Sequence, residues 1–377
     1  NQVLERVKFP IVNSDALFFL IINRSVRHLG QFAGEDCGVG GGDLLITSRI
    51  IYDTFLRETP VGSVIIVEDF GTGEPTEDMI MAIRAAAAKK PYDRVVAVGG
   101  GSVIDIGKLL ATGGWDNCQL LFQKKQTATR EKQLLILPTT CGTGSEVTNI
   151  SVSAFPKLGT KIGLADDALF ANDAVLCAEL ISTLPMKVFM HSSIDALIHA
   201  IESYLSPKAN AITSLFSESA IKTFVAGYRA ILAGGVESRK SLLGDFILAS
   251  TEAGIAFSNA GCGLIHAMSY PIGGNYHLPH GASNYEVMMA ALRYYEKKAP
   301  GGRFASLLAL TGPLDELDPT DGKLDLTHRV RRLAVRKILA DADVERLRTA
   351  AGGSRRPDHA SGFAIPLPAV LPQHLSG

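Results

Sequence analysis

Short apolar runs alternate with amphipathic stretches over the first half of the chain, and beyond about residue 180 only helical spacing remains. Asp43-Leu-Leu-Ile-Thr47, Ser63-Val-Ile-Ile-Val67, Arg94-Val-Val-Ala-Val98 and Gln133-Leu-Leu-Ile-Leu137 are too short for helices and lack polar alternation. They predict buried strands of a parallel sheet covered by helices on both faces. Thr76 to Lys89 predicts a helix capped by Thr76. Val147 to Leu164, broken by Pro156 to Gly159, predicts a hairpin. Further on, Ser193 to Leu205, Ser214 to Leu232, Ser241 to Phe257 and Ala282 to Lys298 predict helices; Leu215, Ile221, Phe224, Tyr228 and Ile231 keep helical spacing in the second. The expected organisation is an α/β domain over residues 1–180 with a parallel sheet, and an all-α domain over 181–351. A tail over 352–377 carries Pro357, Pro366, Pro368 and Pro372 and is expected to be loosely ordered.

Composition narrows the classes. With 46% hydrophobic and 20% charged residues the chain is globular, and 377 residues suit two domains. Thirty-seven basic residues face thirty-eight acidic ones, leaving no bulk charge to attract nucleic acid or an anionic membrane. No apolar run approaches the roughly 18 to 20 residues of a membrane span. Ala16 to Ile22 is short and has no basic leader, so a secretory signal is not expected. Cys37, Cys118, Cys141, Cys177 and Cys262 are scattered and odd in number, which fits reduced thiols in a cytoplasm.

Two glycine loops follow two of the apolar runs. In Gly99-Gly-Gly-Ser-Val-Ile-Asp105, Ser102 is expected to cap the following helix and Asp105 to close a capping box. Free backbone N–H groups at such a helix start attract phosphate. The loop is neither a Walker loop, since Leu109 stands where a magnesium-binding hydroxyl belongs, nor G-x-G-x-x-G. A lone loop of this kind is equally a tight turn without a ligand. The second, Pro138-Thr-Thr-Cys-Gly-Thr-Gly-Ser-Glu146, is rich in hydroxyls, and two loops leaving one sheet edge would face one crevice for a dinucleotide. Cys141 has no activating base in the sequence and reads as structural.

A second group of residues suits a divalent cation. Asp195 and His199 are four apart on one predicted helix face, with Glu202 nearly on the same face. His266 follows the bend Gly261-Cys-Gly263, and His280 precedes Gly281; His277 is the rival ligand in the intervening loop. One carboxylate with imidazoles makes an N/O set suited to Fe(II) or Zn(II) rather than a thiolate site. Such a cation acts as a Lewis acid on an alcohol, and a nucleotide crevice beside it would accept the hydride.

Taken together, Gly99 to Asp105, Pro138 to Glu146, Asp195-Ala-Leu-Ile-His-Ala-Ile-Glu202 and His266…His280-Gly281 resemble the iron-containing (group III) alcohol dehydrogenases, in family order and spacing from about Asp43 to Tyr295. Thr148 to Ser151, Glu202 to Asn210 and Ser269 to Tyr276 resemble that family's 4-hydroxybutyrate dehydrogenase branch, whose members interconvert 4-hydroxybutyrate and succinic semialdehyde with NAD. The resemblance implies a dinucleotide-binding N-terminal domain and a helical metal-binding domain. It assigns the pyrophosphate to Gly99, Gly100, Gly101 and Ser102, and the cofactor crevice to Asp105, Thr139, Thr140, Thr143 and Ser145, with Lys161 reaching a ribose or the nicotinamide side. Asp195, His199, His266 and His280 would hold iron, or zinc in its place. Tyr270 stands where many relatives carry a further His and is expected to relay a proton or shape the pocket; His277 is expected to meet substrate. Ser48 stands where many relatives carry an Asp favouring NAD, which leaves NADP open. The resemblance also implies a homodimer. Related alcohol or diol dehydrogenases, a dehydroquinate-synthase-type NAD and metal lyase, and a non-catalytic nucleotide binder are the competing readings.

Overall fold

A computed structural model describes residues 5–10, 17–23, 39–276 and 278–314. His277, Cys37 and the 352–377 tail lie outside the described residues. The strands are β1 (Glu5–Pro10), β2 (Leu17–Asn23), β3 (Asp43–Thr47), β4 (Ser63–Ile66), β5 (Arg94–Gly99), β6 (Thr112–Gly113), β7 (Thr129–Arg130), β8 (Gln133–Pro138), β9 (Ile150–Phe155), β10 (Thr160–Ala165) and β11 (Asp173–Cys177). Seven form one sheet in the order β1-β2-β11-β8-β5-β3-β4. Every pairing in it is parallel except β1 with β2. Successive residues of the central strands feed opposite cores: Leu44, Ile46 and Val95 enter one, while Leu45, Val96 and Val98 enter the other. Burial on both faces explains why these strands read as unbroken apolar runs.

The four strands read from the chain are present. β1, β2 and β11 were not anticipated; β2 covers most of the apolar stretch from Ala16 to Ile22. The expected hairpin is β9–β10, turned by a 3-10 segment at Pro156–Leu158 and Gly159. From β3 the chain passes outward to β4 and then returns to β5 on the other side. The strand order therefore reverses between β3 and β5, and ligands bind at the carboxyl ends of strands at such a point. Ser48 and Gly99 lie at those ends.

The longer helices are α1 (Glu77–Ala87), α2 (Gly101–Leu110), α3 (Met186–Leu205), α4 (Ala211–Gly234), α5 (Leu243–Ala260), α6 (Leu264–Tyr276), α7 (His280–Lys298) and α8 (Gly302–Thr311). Thr76 caps α1 as expected, accepting from Met79 N. The start of α3 differs from expectation. The helix begins after Pro185, and Ser192 and Ser193 lie inside it, donating to the carbonyls of Phe189 and Met190. Back-bonding of this kind lets serine sit within a helix. α6 runs on through Pro271, where a loop was expected, at the cost of one backbone hydrogen bond.

Helix α3 packs against α4, α5 and α7, so it lies at the centre of the helical half. Its contact with α7 is unusually close. A Cβ on Gly281 would collide with the carbonyl oxygen of His191 and come within 3.3 Å of Asp195 Cβ. Glycine there lets the first turn of α7 lie on α3, bringing His280 beside Asp195. Gly281→Ala is expected to cost about 1–3 kcal/mol of stability by overpacking and to lower divalent-cation affinity; urea unfolding and chelator competition measure the two.

Candidate active site

The two glycine loops leave neighbouring strands and touch. Gly99 pairs with Pro138 in register, and Thr139 N donates to Gly99 O at 3.0 Å. A Cβ on Gly101 would lie 2.8 Å from Thr143 Cγ2, and one on Gly100 would lie 3.3 Å from Thr140 Cγ2. The capping expectation fails here. Gly100 is the N-cap of α2, with no side-chain cap, and Ser102 is already helical. The first backbone N–H groups of α2 consequently have no side-chain acceptor, the condition for an anion site.

The residues expected to line the crevice separate into two sets. Gly100, Gly101, Ser102, Thr140 and Thr143 are partly accessible, whereas Asp105, Thr139 and Ser145 are buried. Asp105 closes no capping box. It accepts from Ser145 Oγ at 2.6 Å and Val152 N at 2.9 Å, tying α2 to the β9–β10 hairpin. Lys108, which the sequence analysis did not single out, is fully buried beside it. Its Nζ donates to Ser145 Oγ, Thr148 Oγ1 and Ile150 O, and lies 3.8 Å from Asp105 Oδ1. Burial pushes the Asp105 carboxyl up and the Lys108 ammonium down to about 8, each shift opposed by the other's charge.

The second loop also wedges against the helices. A Cβ on Gly142 would lie 2.8 Å from Ser192 Cβ. Gly144 has φ +58°, in the left-handed region, and a Cβ there would lie 2.5 Å from Gly254 Cα on α5. Thr251 Oγ1 donates to Glu146 Oε1 at 2.6 Å. The Cys141 thiol is fully buried next to Ser192, and burial pushes its pKa up to about 12, as suits an unreactive structural thiol.

The candidate ligands come together from α3, α6 and α7. One donor atom from each of Asp195, His266 and His280 lies within 4.8 Å of the others. Asp195 Oδ1 is 3.6 Å from His266 Nε2 and 3.7 Å from His280 Nε2. His199 stacks on His266, with centroids 4.5 Å apart and 17° between planes, and its Nδ1 is buried without a hydrogen-bond partner. It groups with His266 and Cys262 rather than with Asp195 and His280. Asn284, one turn after His280, occupies the middle: its Nδ2 donates to Asp195 Oδ1 at 2.6 Å and approaches His266 Nε2 at 3.1 Å and His280 Nε2 at 3.4 Å. Its Oδ1 is buried and has no partner. Sequence reasoning passed over Asn284, although its i, i+4 spacing from His280 was readable. The NH₂ group sits where it can bridge three electron-rich donors, as a cation would.

Glu202 orients His266. Its Oε2 lies 2.6 Å from His266 Nδ1, and its Oε1 accepts from Ile265 N. That contact leaves Nε2 facing Asp195 and fixes the ring, the usual arrangement behind a metal-binding histidine. Burial opposes the charged forms throughout. Even so, His280 and His199 hold the Asp195 carboxyl below its ordinary range, and Cys262, Asp195 and Glu202 keep His266 well above the usual imidazole value. For His199 burial wins and lowers the pKa to about 3. Glu202→Gln keeps the shape and removes the charge. It is expected to weaken cation affinity by about 10–100-fold, measured by competition with a chromogenic chelator.

Tyr270 is exposed, with its ring 5.7 Å from that of His280. Lys161, on β10, pairs with Glu74 at 2.6 Å, and both charges act on His280. The hairpin therefore lies close enough to the candidate ligand cluster for its charges to act on His280.

Paired glycine loops at the carboxyl ends of two central strands, together with a carboxylate–imidazole cluster, define the class of a metal-dependent, nucleotide-linked oxidoreductase. The model of the iron-containing alcohol dehydrogenases matches residues 39–177, and the model of that family's C-terminal domain matches residues 189–371. The chain belongs to the iron-containing alcohol dehydrogenase family. It is 43% identical to the 4-hydroxybutyrate dehydrogenase of Clostridium kluyveri over 304 residues, 80% of this chain and 82% of that one. It is 34% identical to long-chain-alcohol dehydrogenase 1 of Geobacillus thermodenitrificans over 66% of this chain and 63% of the relative. Among solved structures, sulfoacetaldehyde reductase from Bifidobacterium kashiwanohense, in complex with NAD+, superposes with a TM-score of 0.72 over 93% of each chain at 22% identity. An alcohol dehydrogenase from Oenococcus oeni does so with a TM-score of 0.69, over 86% of this chain and 89% of that one, at 24% identity. These likenesses share the α/β sheet followed by helices. Among the described residues, no helix is long and apolar enough to cross a membrane.

Proposed function

We propose that the chain is an NAD-linked, metal-dependent alcohol dehydrogenase that interconverts 4-hydroxybutyrate and succinic semialdehyde by hydride transfer, working as a homodimer, with a dinucleotide-binding domain over residues 1–180 and a metal-binding domain over 181–351. The observation that carries this reading is the meeting of Asp195, His266 and His280 within 4.8 Å of one another. The similarity to the Clostridium kluyveri enzyme supports the choice of substrate.

The donor chemistry fits a divalent cation. A buried carboxylate, two close imidazoles, an unpartnered His199 nitrogen and the central Asn284 amide are satisfied together when a cation replaces that amide at the centre. Asp195, His199, His266 and His280 would hold Fe(II), or Zn(II) as the alternative. When bound, such an ion supplies Lewis-acid chemistry, lowering the pKa of an alcohol hydroxyl and stabilising the alkoxide.

The chain's own residues supply the remainder. Glu202 keeps His266 in one orientation. The backbone of Gly99, Gly100, Gly101 and Ser102 would receive the pyrophosphate at the start of α2, with Thr140 and Thr143 as accessible hydroxyls. Asp105, Thr139 and Ser145 support that loop from beneath. Lys161 would reach the ribose or nicotinamide side of the cofactor from the hairpin. Tyr270 borders His280 and would shape the pocket or relay the hydroxyl proton to solvent, with His277 as a second substrate contact. A nicotinamide cofactor held there would accept the hydride from the alcohol carbon, and the hydroxyl proton would leave to solvent.

The test uses metal-depleted protein reloaded with Fe(II) or Zn(II) and assayed with 4-hydroxybutyrate, butanol and 1,2-propanediol, with NAD or NADP. Reduced cofactor should form fastest with 4-hydroxybutyrate and NAD. Good rates on another alcohol with none on 4-hydroxybutyrate would remove the substrate and keep the class. No cofactor reduction with any of them would remove the reading altogether.

A further inference from the structure

We infer that Glu68, just past the end of β4, sets the nucleotide preference of the crevice: its carboxylate takes the place of the acidic group that position 48 lacks, accepts a ribose hydroxyl of NAD and repels the 2′-phosphate of NADP. The inference rests on the proposed dehydrogenase reading and adds to it the residue that selects the cofactor. Thr47 and Ile66 are partners in the β3–β4 register, so the chain leaves the sheet side by side at Ser48 and Val67. Glu68 follows directly, and its Oε2 accepts from Arg49 N at 3.0 Å. The carboxylate is thereby held at the end of β3, one residue from Ser48. Ser48 itself offers only a neutral hydroxyl; it is partly accessible and makes no side-chain cap on the short helix that follows, Arg49–Ile51.

In dinucleotide folds an acidic side chain near the ribose bonds its 2′-hydroxyl, and a nearby arginine accommodates a 2′-phosphate. Ser48-Arg49 alone would therefore favour the phosphate. The fold reverses that preference. Arg49 Nη2 pairs with Asp69 Oδ1 at 2.5 Å, while Glu68 holds the backbone N–H of the same residue. One guanidinium faces two carboxylates, so a phosphate dianion approaching Ser48 meets net negative charge, and like charges at close range oppose its binding. A ribose hydroxyl is a donor and gains a hydrogen bond from the same carboxylate. Glu68 and Asp69 are both exposed, which leaves them open to a ligand. Selectivity of this kind comes from a repulsive element as much as from an attractive one.

The test reads binding directly, apart from turnover. NADH and NADPH are titrated into the purified full-length protein, and nicotinamide fluorescence gives the two dissociation constants. The wild type is expected to bind NADH about tenfold or more tighter than NADPH. Glu68→Gln keeps an amide oxygen for Arg49 N and removes the charge; it should narrow that ratio about tenfold, chiefly by tightening NADPH. Asp69→Asn releases Arg49 and should also tighten NADPH, a gain that Arg49→Gln in the same chain removes. Adenosine 2′,5′-bisphosphate, which carries no nicotinamide, should displace NADH more readily from Glu68→Gln than from the wild type and so places the effect at the adenosine end. Equal affinities in the wild type, or a ratio unmoved by Glu68→Gln, would overturn the inference while leaving the dehydrogenase reading standing. A wild type that binds neither nucleotide would overturn both.

Discussion

Asp195→Ala is expected to empty the cation site and lower kcat/KM by about a thousandfold or more. Asp195 is the one carboxylate in the three-residue cluster, 3.6–3.7 Å from two imidazole nitrogens. Without its charge, a divalent ion would sit among neutral rings in a buried site, where an uncompensated charge is costly. Lewis-acid stabilisation contributes several kcal/mol to such reactions, and about 4 kcal/mol corresponds to roughly a thousandfold in rate. Metal content after desalting and steady-state kinetics with added Fe(II) check the two halves separately. One retained equivalent of metal together with an undiminished rate would refute the assignment of Asp195 as a ligand. The pocket should remain folded, because Asn284 can still bond to His266 and His280.

Lys108→Met is expected to produce the largest loss of stability, about 3–5 kcal/mol. The ammonium is fully buried, donates three hydrogen bonds and faces Asp105. Removing one member of a buried pair strands the other. Asp105→Asn with Lys108→Met should therefore cost less than the sum of the two single changes, a coupling that a urea-unfolding cycle measures. The pH dependence carries a definite sign. Burial lowers the folded pKa of Lys108 to about 8 from the ordinary 10.5, so between those values the unfolded chain binds more protons. The stability contribution of this group rises with pH across that window and is lost as pH falls through about 8. The variant should lack that component when unfolding midpoints are compared from pH 7.5 to 10. An unchanged pH profile would show that Lys108 is not the titrating group.

The legibility of this protein divides along physical lines. β3, β5 and β8 were readable because burial on both faces erases polar alternation, and the hairpin because proline and glycine interrupt two β-rich pieces. β11 was missed: Asp173-Ala-Val-Leu-Cys177 has the same apolar character but lies close to short turns that obscured its ends. The candidate ligand positions on α3, α6 and α7 could be named from residue type and from the family resemblance. Their geometry could not be, because it depends on how three helices converge. Asp195 and His199 share a helix face as expected, yet His199 falls beside Cys262 and His266, outside the group formed with His280. The failed capping box has a similar cause. Ser102 and Asp105 have the right spacing, but Gly100 starts the helix and the hairpin claims the Asp105 carboxylate through Val152 N. Tertiary competition of this kind leaves no trace in a local pattern.

The second glycine loop behaves as a rivet between the sheet and the helices. Backbone at Gly142 and Gly144 touches α3 and α5 too closely for any side chain to intervene, and Thr251 grips Glu146 beneath it. Parting the sheet from the helices at this point would break these buried main-chain contacts. The β9–β10 hairpin is fastened to α2 in turn, through Val152 N on Asp105 and Lys108 on Ile150 O, while Lys161 pairs with the half-exposed Glu74. The start of α2, the hairpin and α3 are thereby held in one mutual alignment, set by contacts on main-chain atoms.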